Sequence, residues 1–595
     1  MIRNETCRLM VGILVSFFLS ASAQNQSDST ESTKPNIVLI LVDDSGLMDF
    51  GVYGGEARTP NIDKLAQGGF MFTNMHASPV CAPSRAMLLT GTDSHLAGVA
   101  NLPEMLPEEY QSMPGYGGEL NDRVQTIATR LKDVNYNTYA TGKWHLGHND
   151  KTLPTKRGFD RSYILGGSGA SNYNSKGYLP QKPHAHWYAD GKEVELPEDF
   201  YSSETYIDKT ISFHEEEQNR DNPFFAYIAF QAIHTPVQAP KEFVEHYMDV
   251  YSKGWDEMRQ NRFEKAKQLG LIPEGAQLNE FIPEANKWNE LSEKQQKGYV
   301  TGMSLAAGMI EAMDYHIGRY VEYLKKEGMM ENTIFIVTSD NGPDGADYTV
   351  GLPWAIKNGY HRNFEKKGGK DFYGFMGTGF ANAVSSPFSF FKYYTGEGGL
   401  RVPLIISGKG IPNNTSKEFS FFTDIAPTIY DIAGISTSAN AGFAPLTGKS
   451  LYPHINDPSQ PVYKENEGVG IEAASSSAYF MNGYKIVKNN IPDGDNIWHL
   501  HHIESDPGEV VDLADQEPEL FKKMLAAYAE YEKEVGVLKM PDGYFAQGFV
   551  AKEAKKGMAA EFLPIILLVV AVLVAIIGFF IWKRRQRKKR NEQQS

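Results

Sequence analysis

Four β-prone runs in this chain each stop in charged or metal-binding residue types, and that recurrence constrains the fold more than any other feature. Asn36–Val42 runs into Asp43 and Asp44, and Tyr136–Thr141 into Gly142-Lys143-Trp144-His145. Pro223–Phe230 runs into Gln231-Ala232-Ile233-His234, and Thr333–Thr338 into Ser339-Asp340-Asn341-Gly342. Asn36–Val42 is β-prone without alternation, as a strand covered on both faces must be. Helical patterns lie between the runs. Val124, Ile127, Leu131 and Val134 recur at helical spacing over 122–134. Met303, Ala307, Ile310, Met313, Ile317 and Leu324 line one side of a helix predicted over 299–326, which Gly328 ends. Strands alternating with helices predict an α/β fold, a mostly parallel sheet between helices. Ligands of such sheets bind just outside the carboxyl ends of the strands. Four ends of this chemistry therefore predict one shared site.

Two segments read as insertions: 255–297, polar and helix-prone, as a surface excursion, and 344–391, rich in glycine and aromatics, as a loop shaping a pocket rim. A smaller unit begins near Leu451, with short strands such as Tyr484–Val487 and Ile497–Leu500 predicting an antiparallel sheet. The expected division is a large domain over 34–450 and a small α+β domain over 451–545.

The ends carry their own signals. Arg3 and Arg8, the apolar run Leu9–Leu19 and Ala21-Ser22-Ala23 read as a secretory signal over 1–23, followed by a Ser/Thr-rich linker over 24–33. A linker is expected over 546–561. Phe562–Trp582 contains no charge and has the length needed to span a bilayer, and the basic tail 583–595 follows at once. Basic tails stay on the cytoplasmic side. The expectation is a single-pass type I protein, anchored in the membrane with its body periplasmic or extracellular. The net charge is −15 although the tail is basic, which argues against nucleic acid as a partner. An acidic body that binds an anion must build positive charge locally.

With 1–23 removed, Cys81 is the one remaining cysteine, so it has no internal disulfide partner. It stands in Cys81-Ala82-Pro83-Ser84-Arg85, continued by Ala86-Met87-Leu88-Leu89-Thr90-Gly91. This run resembles the signature of the formylglycine-dependent sulfatases, in which the cysteine is oxidised to an aldehyde whose hydrate attacks sulfate esters. Gly142-Lys143-Trp144-His145-Leu146-Gly147 and Glu397-Gly398-Gly399-Leu400-Arg401 also read as they do in that family. The resemblance covers about residues 34–540 and is nearest to the bacterial calcium-containing arylsulfatases. It implies an alkaline-phosphatase-like large domain and one calcium ion, held by Asp43, Asp44, Asp340, Asn341 and the side chain at 81. An all-oxygen ligand set suits a hard cation and not zinc. It also implies that Arg85 stabilises the hydrate, that Lys143 contacts sulfate, and that His145 bonds the hydrate. His234 and Lys392 would grip the sulfate and assist the leaving oxygen, and Asp340 would help deprotonate the nucleophile. The implied partners are a sulfate ester, small-molecule or glycan, and a maturation enzyme that generates formylglycine.

Two other readings stay open on sequence. One is a formylglycine-dependent phosphonate or phosphate ester hydrolase, although such relatives typically carry Asp-His where this chain has Asp340-Asn341. The other is a non-catalytic surface protein that binds sulfated glycans, which requires Cys81 to remain a thiol.

Overall fold

The computed structural model describes residues 34–282, 287–541 and 543–594; the expected signal and linker over 1–33 lie outside them. Eleven strands form the central sheet. At its centre Asn36–Val42 pairs in parallel with Thr333–Ser339 on one side and Phe224–Ala229 on the other. Asn137–Lys143 and Arg161–Leu165 extend the parallel set beyond Phe224–Ala229. Arg401–Gly408 then pairs antiparallel with Thr333–Ser339, and Gly69–His76 antiparallel with Arg401–Gly408. The sheet is thus mixed, with its parallel strands in the middle.

The unbroken apolar character of Asn36–Val42 now has its cause. Val38, Ile40 and Val42 face one buried cluster, and Ile37, Leu39 and Leu41 face a second on the opposite side. Helices Ser202–Glu216 and Glu293–Lys326 cover the first face. The latter helix begins six residues before the expected start, where Ser292 accepts from the Gln295 amide in a capping box. Its first turns are polar and leave no periodic signal. The helix expected over 122–134 is confined to Ile127–Lys132.

The segment expected to be a surface excursion is built into the core. Helix Trp255–Gln268 buries Trp255, Met258, Arg262, Phe263 and Ala266 along one side. Arg262 pairs there with Asp49 at 2.9 Å and Glu56 at 2.6 Å. The stripe is short of aliphatics and contains a charge, so composition hides it. Residues 546–561, expected to be a linker, are helical and belong to one continuous helix, Ala546–Glu592.

The small C-terminal unit is a four-stranded antiparallel sheet, Gly468–Ala473, Ser476–Met481, Tyr484–Lys488 and His499–His502, against helix Pro518–Val535. Buried charge ties it to the large sheet. Lys485 pairs with Glu397 at 2.9 Å, and Glu397 pairs with His76 at 3.0 Å. His95 bonds Asp93 of the large domain at 3.0 Å and Glu472 of the small sheet at 3.2 Å. Burial opposes the charge on His95, but these two carboxylates lift its pKa from 6.5 to about 9. A raised folded-state pKa stabilises fully below pH 6.5, and the contribution fades as pH rises through about 9. Thermal unfolding should therefore shift down between those limits, by the equivalent of about 3 kcal/mol at most. His95→Gln should flatten that slope; an unchanged slope in the variant would assign it elsewhere.

Candidate active site

The parallel strands deliver their polar ends to one edge of the sheet. Asp43 and Asp44 follow Asn36–Val42, Lys143 ends Asn137–Lys143, His234 lies five residues beyond Ala229, and Asp340 and Asn341 follow Ser339. Asp43, Asp44, Asp340 and Lys143 are completely buried, and His234 nearly so. Helix Cys81–Thr90 begins at this edge. Its signature residues have separable tasks. Ser84 Oγ accepts from the Ser78 amide at 3.0 Å and donates to the Ser78 carbonyl at 3.1 Å, bracing the loop that enters the helix. Pro83 occupies the first turn, where its missing N–H costs nothing. Gly91 ends the helix at φ 66° and donates to the Met87 carbonyl, a cap that glycine adopts without strain. Cys81 and Arg85, one turn apart, share a face.

Arg85 crosslinks two strand ends. Its Nε donates to Asp340 Oδ2 at 2.9 Å and its Nη1 to the Lys143 carbonyl at 2.7 Å. Lys143 Nζ donates to both oxygens of Asp43, at 2.9 and 2.7 Å. Lys392 Nζ donates to Asp44 at 2.9 Å. Asn341 Nδ2 donates to Asp44 Oδ1 at 2.7 Å and to the Gly342 carbonyl at 2.8 Å. Cys81 Sγ lies 3.7 Å from Asp44 Oδ1. Ligand atoms of Asp43, Asp44, Cys81 and Asp340 all fall within 4.8 Å of one another.

Two backbone features aim these groups. Gly142, at φ 99°, precedes Lys143 where a Cβ would lie 1.9 Å from the Ala229 carbonyl oxygen, so only glycine lets the strands meet there. Asp44 and His145 sit at φ 63° and 56°, a left-handed conformation uncommon outside glycine and found repeatedly at functional sites. Trp144, between Lys143 and His145, is completely buried and donates its indole N–H to the Thr152 carbonyl.

The electrostatics follow from burial and pairing. Burial raises Asp44, yet Lys392, His234 and Lys143 outweigh it and hold the carboxyl well below its usual range. Burial and the adjacent Asp43 push Asp340 up to about 6 against the pull of Arg85. Burial pushes the Cys81 thiol far up, so the unmodified side chain is a neutral thiol and a weak nucleophile. Burial and Lys143 depress His145 strongly, and its Nδ1 is enclosed without a partner. His234 is lowered to about 3 by burial, Lys143 and Lys392. Its Nδ1 lies 2.6 Å from the Thr235 carbonyl, which can only accept, so the ring proton belongs on Nδ1.

A cation fits these donors. Asn341 Oδ1 is buried and has no donor facing it, while its amide nitrogen is fully engaged. Such an acceptor beside three carboxylates satisfies itself by binding a hard metal ion. The three carboxylates are opposed by three cationic side chains, Arg85, Lys143 and Lys392. A divalent ion would therefore leave the site net positive, ready for an anion.

All ten residues singled out in the sequence converge here: Asp43, Asp44, Cys81, Arg85, Lys143, His145, His234, Asp340, Asn341 and Lys392. Of their aromatic surround, the sequence points to a rim built by aromatic-rich 344–391 but names neither Tyr178 nor Tyr348. The Tyr178 ring meets His234 edge-on with centroids 5.2 Å apart, and Tyr348, bonded to Asp344 at 2.9 Å, lies 5.9 Å from Tyr178. The richness of 344–391 in aromatic residues was the available signal for Tyr348; strand Lys176–Leu179 carries none. A cavity of about 970 Å³ lies beside helix Pro518–Val535, and none of the ten lines it.

Comparison with known proteins agrees with this arrangement. A family model described as Sulfatase matches residues 35–435. The chain is 34% identical over 447 residues to an arylsulfatase of Klebsiella aerogenes, covering 73% of this chain and 94% of that one. It is 32% identical over 547 residues to an uncharacterized sulfatase of Schizosaccharomyces pombe, covering 87% and 97%. The crystal structure of Ps i-CgsB in complex with k-i-k-neocarrahexaose superimposes with a TM-score of 0.60 at 26% identity, covering 89% of this chain and 99% of that one. Family match, mixed sheet and clustered strand ends lead to one conclusion: the chain belongs to the sulfatase family and hydrolyses sulfate esters.

Proposed function

We propose that this protein is a membrane-anchored sulfatase whose nucleophile is formylglycine made from Cys81 by a separate maturation enzyme. It would hold one calcium ion between Asp43, Asp44, Asp340, Asn341 and the side chain at 81. The observation that carries the reading is the buried Asn341 Oδ1 without a donor, on a side chain bonded to Asp44, whose ligand atom clusters with those of Asp43, Cys81 and Asp340.

When present, formylglycine supplies a hydrated aldehyde with two hydroxyls on one carbon, one to attack sulfur and one whose deprotonation releases sulfate. Bound calcium supplies Lewis-acid stabilisation of sulfate oxygens. The chain's own residues do the rest. Lys143 and Lys392 exchange part of their bonding with Asp43 and Asp44 for sulfate oxygens. Asp340, raised by burial, accepts a proton from the nucleophile. Arg85 keeps Asp340 oriented and offsets charge near residue 81. Neutral His145, with its unpaired Nδ1, takes the second proton. His234 keeps one proton on Nδ1; a bound sulfate counters the two lysines that depress the ring, so that Nε2 takes up a second proton and donates it to the anion and leaving oxygen.

Anchoring is supported by the C-terminal helix. It is the one helix among the described residues that is long and apolar enough to cross a membrane. Leu568 is 65% exposed and Trp582 57%, so the body does not cover the run. A type I orientation would put the body outside the cytoplasm, where the basic tail does not follow.

Peptide mass spectrometry of active protein should find residue 81 as formylglycine, and metal analysis should find calcium near one per chain. Active protein in which Cys81 is wholly thiol would overturn the proposed nucleophile.

A further inference from the structure

The first turns of the C-terminal helix are docked, and its later turns are not. Ala546 is buried, and Val550, Ala554, Met558 and Phe562 repeat along the covered side at helical spacing. Just ahead of the helix, Tyr544 donates to the Met105 carbonyl at 2.5 Å and accepts from Asn490 through its own carbonyl at 3.0 Å. Glu561 pairs with Lys357 at 2.7 Å. Met558 and Phe562 pack on Tyr178, Leu179, Trp354 and Tyr373. From Leu563 to the end of the apolar run every side chain is exposed.

A cavity of about 420 Å³ lies between this docked stretch and the body. Val550, Ala554 and Met558 wall it from the helix, and Tyr348, Phe391 and Tyr393 from the body. None of the ten site residues lines it, but its inner wall adjoins the active site through Tyr393 and Tyr348. Tyr393 follows Lys392, whose Nζ is 5.4 Å from the Tyr393 ring centre. Tyr348 adjoins Tyr178, which in turn meets His234. The charged residues on its lining are Asp347, Asp493 and Lys555, two acids and one base. A chain of sulfated sugars needs several cations to hold its charge, and this lining is net negative. Aromatic and aliphatic walls favour an apolar occupant.

We propose that the cavity receives the organic part of the ester and that this part is an apolar aryl or alkyl group, with helix residues 550–558 as one wall of the substrate site. The proposal rests on the reading of this chain as a sulfate ester hydrolase with a membrane-spanning helix. Leu563 lies five positions beyond Met558, about 8 Å of helix. The cavity therefore lies close to the start of the membrane span, within reach of an ester whose apolar part is dissolved in the bilayer interface.

The test uses the full-length protein in lipid nanodiscs with three esters: 4-octylphenyl sulfate, 4-nitrophenyl sulfate and galactose 6-sulfate. Ala554→Trp fills the cavity and touches none of the ten site residues. It should lower kcat/KM for the octylphenyl ester about tenfold or more, a loss typical of a blocked apolar subsite, and that for the nitrophenyl ester, whose single ring fills less of the cavity, by a clearly smaller factor. A second measurement needs no variant. An alkylphenyl sulfate with a diazirine at the end of its alkyl chain, irradiated on the wild-type protein, should label the 546–562 peptide, and 4-octylphenyl sulfate should compete. Equal loss on both aryl esters, labelling confined to other peptides, or a wild-type preference for galactose 6-sulfate over the octylphenyl ester would each overturn the proposal. Hydrolysis of none of the three by protein with converted Cys81 would instead overturn the sulfate-ester reading beneath it.

Discussion

Cys81→Ser, made in a host that leaves serine unconverted, should complete at most one turnover and retain sulfate as an ester on the new side chain. A single hydroxyl can attack sulfur from the start of helix Cys81–Thr90, beside Asp44 and under the charge of Arg85, Lys143 and Lys392. It has no second hydroxyl on the same carbon, so the elimination that frees sulfate cannot follow. Steady-state turnover should fall by at least about 10³-fold, as when a covalent nucleophile is removed elsewhere. Intact-mass measurement after mixing with substrate should reveal the trapped ester. Cys81→Ala should lose turnover equally and trap nothing. Sustained multiple turnover by the serine variant at anything near the wild-type rate would falsify the double-hydroxyl mechanism.

Asp340→Asn should separate the metal from the scaffold. The change keeps the side-chain shape but removes a carboxylate that bonds Arg85 at 2.9 Å and lies among the acidic ligands. Bound calcium should drop below one per chain, and kcat should fall by about 10²- to 10³-fold, the usual cost of losing one preorganised charge-stabilising contact. Added calcium should recover part of the loss. Asp340→Ala goes further, because a completely buried guanidinium loses its main partner. Removing one side of such a pair costs about 3–5 kcal/mol, so the alanine variant should also unfold at lower temperature. Metal analysis, kinetics and thermal denaturation on the two variants resolve these contributions. Undiminished turnover with full calcium in Asp340→Asn would count directly against the site.

Much of this is legible in the sequence. Parallel strands buried on both faces leave uninterrupted apolar runs, so Asn36–Val42 and Thr333–Ser339 announced themselves and so did the acids that end them. The Cys81 signature was readable because helix start, bracing serine and capping glycine are local. Lys392 was not legible in that way. It lies in an aromatic-rich loop, and only family likeness pointed to it. The core role of helix Trp255–Gln268 leaves little trace in the sequence, because it comes from a few large side chains and one paired arginine. The docked turns at 546–562 leave little local signal, because their contact stripe of Ala546, Val550, Ala554, Met558 and Phe562 is one residue wide and runs between lysines.

What the sequence by itself determined is whatever is written within a few residues: strand, helix start, cap, signature and apolar span. Partnership across the chain was decided by the tertiary structure alone. Arg85 meets Asp340 across 255 positions, Asp44 meets Lys392 across 348, and the 546–562 turns close a cavity beside Tyr348. No local pattern encodes such pairs. They exist because the sheet order brings four strand ends to one edge, where buried charges must find partners or pay the full cost of leaving water.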